Sequence, residues 1–241
     1  MILFYLSIPL VVLVTVIYSI LAAITRPIDR NVRIYHALMR QWSCLLLILL
    51  RVRVRTSGRE HLTPGTPYIF IANHASYLDI IAIGVSLPEG GLFVYKEELT
   101  KIPIWGWSLK MSPFIMIRRT DPRKAMESIE GAARDIRERG ESVVMFPEGT
   151  RSTDGKLGEF KRGGFLLATK TGVPLVPLVI CGSQPLMPRD DWRVRPGHIE
   201  VQIGKPIPGR SDLNRNEERE LQERLHTTLI SMLEGHHGSR A

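Results

Sequence analysis

The sequence is poor in cysteine, with only Cys44 and Cys181 among 241 residues. Neither belongs to a C-x-x-C pair, which excludes a zinc ribbon and a dithiol redox motif. Two distant thiols are as a rule small buried hydrophobes, and a core without disulfides suits a reducing compartment. Aromatic residues make up 7% of the chain. With so few rings and no recognition motif, nucleic-acid binding has only the high pI in its favour and is set aside. No G-x-S-x-G elbow occurs, so no serine nucleophile is indicated. Internal repeats and low-complexity tracts are also missing. The most local absence is of charge: Ile2 to Thr25 contains no Asp, Glu, Lys, Arg or His.

That uncharged run, ILFYLSIPLVVLVTVIYSILAAIT, reaches about 36 Å as a helix, against roughly 30 Å of bilayer hydrocarbon. A secretory signal would carry a positive leader and a shorter apolar stretch, and this run has neither. Arg26, Arg30, Arg33 and Arg40 follow it, which by the positive-inside tendency puts its C-terminal side toward the cytoplasm, at the inner membrane if the protein is bacterial. A second apolar stretch, Trp42 to Leu50, is too short to span alone. With Ile34 to Met39 it extends into a longer helix. Two arrangements fit: a helical hairpin in or on one leaflet, or one span plus a surface helix. Residues 1–50 are thus expected to be membrane-anchoring helices. The net charge of +8 matches an anionic leaflet or a phosphorylated ligand.

From residue 51 the texture changes. Arg51 to Arg55 alternates with period two and reads as a strand. Short apolar strands are expected at 68–72, 92–95, 114–117, 142–146, 175–181 and 198–203. Helices are expected between them at 77–85, 104–111, 122–139 and 165–170, with a last one over 217–233. Asp121 and Pro122 would open the 122–139 helix as cap and first residue. Ala125, Met126, Ile129, Ala132, Ala133 and Ile136 form its apolar stripe. The alternation predicts one α/β domain over 51–241, with a mixed, largely parallel sheet flanked by helices.

Chemistry concentrates where strands end. Asn73-His74-Ala75-Ser76-Tyr77-Leu78-Asp79 follows a buried strand, at the sheet edge where α/β ligands bind. A carboxylate folded back on an imidazole makes a general base, fixing its tautomer and stabilising its charged form. Ser76-x-x-Asp79 equally fits a capping box. The two readings are compatible, because a capping carboxylate can still face His74. A second loop, Phe146-Pro147-Glu148-Gly149-Thr150-Arg151-Ser152, contains a glycine and presents an arginine suited to bidentate contact with phosphate. Lys96, Arg118, Arg119 and Lys161-Arg162 are either a solvated basic face or part of one phosphate pocket. In a parallel sheet Lys96 and Arg119 share an edge with His74 and Arg151.

These blocks, in this order, resemble the glycerolipid acyltransferases, among them the lysophosphatidic acid acyltransferases. The matching blocks are His74-x4-Asp79, Lys96-Glu97-Glu98-Leu99 through Ile102-Pro103 to Arg119, residues 146–152, and Val173-Pro174-Leu175-Val176-Pro177-Leu178. The resemblance spans roughly residues 50–205. It implies that His74 is the general base and Asp79 its orienting partner. It also implies that Lys96, Arg119 and Arg151 hold an acceptor phosphate, while Glu148, Gly149 and Thr150 shape that site. The implied reaction is acyl transfer from acyl-CoA or acyl carrier protein, as co-substrate, to the hydroxyl of 1-acyl-sn-glycerol 3-phosphate, giving phosphatidic acid without metal or cofactor. The second block departs from the family pattern, because Pro113 and Met116 stand where Gly and Phe are usual. Arg118 therefore competes with Arg119, and acceptor identity stays open between this lysophospholipid, glycerol 3-phosphate and a lyso-ornithine lipid. A thioesterase, with His74 activating water, would have no use for a basic clamp.

Overall fold

The structure, a computed structural model, describes residues 2–29, 31–102, 105–117, 122–211 and 213–238. Two helices come first, α1 (Ile2–Thr25) and α2 (Arg33–Leu50). They pack as an antiparallel hairpin, tied by Trp42 Nε1 donating to Thr15 Oγ1 at 3.2 Å and by Tyr18 against Gln41. Asp29, buried in the connection, accepts from the N–H groups of Ile34 and Tyr35 and so caps α2 from outside the helix. A single residue, Arg51, separates α2 from the first strand. It adopts the left-handed conformation (φ 56°) that ends the helix.

The strands are β1 (Val52–Ser57), β2 (Ile69–Ala72), β3 (Leu92–Lys96), β4 (Ile115–Ile117), β5 (Val143–Met145), β6 (Leu175–Cys181) and β7 (Gly197–Ile203). Among the described residues they form one sheet in the order β1-β7-β6-β2-β5-β3-β4. Every pairing is parallel except β6 with β7. The largely parallel expectation therefore holds, and the reversal falls between β6 and β7. There β6 leads through α7 (Ser183–Leu186) and a loop into β7. The remaining helices are α3 (Leu78–Ser86), α4 (Trp105–Met111), α5 (Pro122–Arg139), α6 (Arg162–Thr171) and α8 (Arg215–Gly238).

The pleat divides the core. Phe70 and Ala72 face one layer with Val144, Val176 and Leu178, covered by α2 and α3. Ile69 and Ile71 face the other with Val143, Met145 and Leu175, covered by α5, α6 and α8. Of the expected stripe on α5, Ile129, Ala132, Ala133 and Ile136 are buried, whereas Met126, near the start of the helix, is exposed; Leu225 and Leu229 anchor α8. Asp121, its expected cap, lies outside the described residues. Cys181 is buried, but Cys44 is exposed on α2, so only one thiol behaves as a core hydrophobe.

The hairpin reaches the sheet through a close helix crossing. Ser43 on α2, fully buried, lies against Gly84 on α3, and a Cβ on Gly84 would overlap the Ser43 hydroxyl. Gly84→Val should therefore force α2 and α3 apart and cost about 1–3 kcal/mol by overpacking. Chemical unfolding in detergent micelles would show this as a lower midpoint, and an unchanged midpoint would disprove tight packing at this crossing.

Candidate active site

His74 follows directly on β2, and the 146–152 loop follows on β5, the strand beside it. Asn73 fixes the exit from β2. Its buried side chain extends the ladder to β6, with Oδ1 accepting from Ile180 N–H at 2.8 Å and Nδ2 donating to Ile180 O at 2.9 Å. An amide here replaces the strand pairing that ends at Ala72, so the chain can turn without leaving buried groups unpaired.

The next residue is held from several sides. His74 N–H donates to Glu148 Oε1 at 2.9 Å, and His74 O accepts from Ser152 N–H at 2.7 Å. Both main-chain bonds of the histidine thus end in the 146–152 loop. Its ring stacks on Phe146 with centroids 4.0 Å apart. Nδ1 lies 2.8 Å from Asp79 Oδ2. An ionised carboxylate only accepts, so Nδ1 carries the hydrogen and the Nε2 lone pair is left available. Among the described residues Nε2 makes no hydrogen bond. The imidazole is one-seventh exposed, whereas Asp79 is fully buried.

Asp79 serves both roles read from its sequence position. Oδ2 accepts from Ala75 N–H and Ser76 N–H, each at 2.8 Å, as well as from the histidine. The bond to Ser76 N–H is half a capping box. The other half is redirected: Ser76 Oγ accepts from Leu78 N–H and donates to Met187 O. Three donors meet on this one oxygen, while among the described residues Oδ1 is buried without a hydrogen bond.

The 146–152 loop is shaped by Glu148. Its second oxygen accepts from Gly158 N–H at 2.9 Å, so one carboxylate ties together the main chain at 74 and at 158. Burial pushes its pKa above the ordinary 4.5, against the opposing pull of these two donors. Gly149 closes the turn on Phe146 O with φ +70°, a conformation that favours glycine. Thr150 is exposed. Arg151 is half-buried, its guanidinium carbon 3.8 Å from the centroid of the Tyr77 ring, and its carbonyl accepts from Arg189.

Lys96 ends β3, the parallel neighbour of β5, and so lies on the same sheet edge as His74 and Arg151. Arg118 and Arg119, the rival arginines of the second block, lie outside the described residues. A cavity of about 630 Å³ lies between β1, β7 and α8, and none of these site residues lines it. Among the described residues no group of three or more His, Cys, Asp or Glu is arranged to hold a metal ion. Two residues with a part in this geometry carried no separate signal in the sequence. Phe146 reads as a strand residue and Tyr77 as the start of a helix, and only the fold brings their rings to His74 and Arg151.

A family model described as Acyltransferase matches residues 53–181, just over half the chain. The chain belongs to the acyltransferase family. A chloroplastic 1-acyl-sn-glycerol-3-phosphate acyltransferase of Arabidopsis thaliana is 35% identical over 190 residues, which cover 78% of this acyltransferase and 52% of the relative. The 1-acyl-sn-glycerol-3-phosphate acyltransferase of Saccharomyces cerevisiae is 29% identical over 78% of this chain and 62% of its own length. This acyltransferase therefore spans little more than half the length of such curated relatives. A solved structure matches over nearly its whole length. The crystal structure of the 1-acyl-sn-glycerophosphate acyltransferase PlsC from Thermotoga maritima superposes with a TM-score of 0.77 at 26% identity, covering 97% of this chain and 95% of the other.

The raised pKa of Glu148 sets a testable pH dependence for this acyltransferase. A carboxyl that holds its proton more tightly when folded contributes less to stability as pH rises from the unfolded value of about 4.5 through the folded one, and a constant amount above it. Wild type should therefore lose stability relative to Glu148→Gln as pH climbs through that window. Denaturant titrations of both proteins at a series of pH values would measure the difference, and a gap that moves the other way would contradict the assigned cause.

Proposed function

We propose that this acyltransferase transfers a fatty acyl group from an acyl thioester, acyl-CoA or acyl carrier protein, to the free hydroxyl of 1-acyl-sn-glycerol 3-phosphate, giving phosphatidic acid. The observation that carries the reading is the His74–Asp79 pair at 2.8 Å, locked by its main chain to the loop that presents Arg151. Relatives named for this activity in plants and yeast add weight, as does the PlsC structure.

In the proposed step, the Nε2 lone pair takes the proton of the acceptor hydroxyl as the oxygen attacks the thioester carbonyl. The tetrahedral adduct then expels the thiolate, which recovers the proton from the imidazolium. Buried Asp79 keeps Nδ1 protonated and stabilises the charge that appears on the ring between these two events. No group on the protein is acylated, and the histidine–carboxylate pair supplies the chemistry without a metal or cofactor. Arg151 and Lys96 bind the acceptor phosphate, and we assign Arg119 to the same task by its place in the second block. Glu148, Gly149 and Thr150 shape that site. Holding the acceptor hydroxyl against the base converts an encounter into a near-unimolecular step.

A lysophospholipid acceptor resides in a bilayer, and the N-terminal hairpin suits that source. Ser7–Thr25 has a mean hydropathy of 2.5 and only 6% of it is buried, whereas the core helix of a soluble protein is mostly covered. Leu10, Val12, Leu13, Ile17, Ile20 and Ile24 lie exposed along α1. We assign residues 1–50 to membrane anchoring, with residues 51–241 as the catalytic domain on the cytoplasmic face. Basic residues after α1 favour that side.

The test is acyl transfer in detergent micelles, from acyl-CoA and from acyl carrier protein, to lysophosphatidic acid and to glycerol 3-phosphate, with thiol and acylated product both quantified. Diacyl product is expected from wild type. It should be lost in His74→Ala and fall at least about 100-fold in Asp79→Asn, the scale of general-base catalysis. Thiol release without acylated product would replace this reading with a thioesterase, and product unchanged in His74→Ala would remove the proposed base.

A further inference from the structure

Arg151 is unusually placed for a cation. Its carbonyl is held by Arg189, and the next residue donates to His74 O, so its main chain is fixed on both sides. Its guanidinium lies over the face of Tyr77 at 3.8 Å rather than against a carboxylate. Among the described residues Nη1 is buried without a hydrogen-bond partner. A buried charged N–H left unpaired is costly, and a ligand that brings acceptor oxygens repays that cost. Tyr77 itself is 41% exposed, so its ring is not simply part of the core.

Stacking restricts what such a cation can do. The N–H donors of a guanidinium all lie in its plane, so a ring packed on one face leaves them uncovered and fixes the plane in which they can meet two oxygens of one phosphate side by side. A free arginine would sample many rotamers and lose them on binding. Tyr77 removes that freedom in advance. It immediately precedes α3, two residues before Asp79, so the segment that orients the base also sets the plane of the anion-binding arginine.

We infer that Tyr77 is a positioning residue of the acceptor site, a ring platform that holds the Arg151 guanidinium edge-on for a phosphomonoester. The inference rests on the proposed role of Arg151 as an acceptor-phosphate ligand. Because the ring face carries the effect, Phe should replace Tyr and an aliphatic residue should not.

Steady-state kinetics with lysophosphatidic acid tests it, comparing wild type, Tyr77→Phe, Tyr77→Leu, Arg151→Ala and the Tyr77→Leu/Arg151→Ala double variant in the same micelles. Tyr77→Leu should raise KM for lysophosphatidic acid roughly 5- to 30-fold, the span of a cation–π contact of about 1–2 kcal/mol, with kcat within about two-fold. Tyr77→Phe should restore KM to near wild type. In the Arg151→Ala background, Tyr77→Leu should add nothing, since the platform then has nothing to hold. A KM unmoved in Tyr77→Leu, or raised equally with and without Arg151, would overturn the platform. So would a fall in kcat at constant KM, which would mark a structural effect on Asp79. These outcomes presuppose diacyl product from wild type; its absence would instead remove the proposed function, and this inference with it.

Discussion

The site depends on one constraint: the catalytic-type histidine is fastened through its main chain to a loop seventy residues away. Glu148 takes its N–H and Ser152 gives to its carbonyl. Neither bond involves the imidazole, which is free to be oriented separately by Asp79 and Phe146. The parallel pairing of β2 with β5 makes this possible, because both loops leave the same sheet edge. Had the two strands run in opposite directions, the same residues would stand at opposite ends of the sheet.

Much of this was legible in residue types. A histidine after a buried strand, with an aspartate five residues on, announces a pair wherever a strand turns sharply into a helix. The arginine of a glycine-containing loop announces an anion site. The dual use of Asp79 was legible too, because capping and orienting both need a carboxylate in the first helical turn. The roles of Asn73, Phe146 and Tyr77 were not. Each acts through a neighbour distant in the chain: Asn73 on Ile180, Phe146 on His74, Tyr77 on Arg151. Period and propensity are local, and such partnerships have no local trace. Two of the buried polar contacts of Glu148 are likewise with main-chain N–H groups, which every residue type presents equally.

The fold shows the same division. The stripe on α5 and the leucines of α8 point to their layer because helical spacing repeats within the element. The sheet order does not follow from any segment alone. β7 inserts between β1 and β6, the earliest and nearly the latest strands, parallel to one and antiparallel to the other. Three-residue strands such as β4 and β5 carry too little alternation to declare a register, and receive theirs from longer neighbours.

The junction at Arg51 has a mechanical consequence. Many anchored enzymes hang from a flexible tether, and the tether dilutes the site over the volume it sweeps. Here one residue separates α2 from β1, and Ser43 is pressed into Gly84 on the helix that carries Asp79. No hinge remains to be swung. The rotational freedom between hairpin and sheet is surrendered once, during folding, rather than at every encounter. The exposed face of α1 and the histidine are held at one height and one angle to each other.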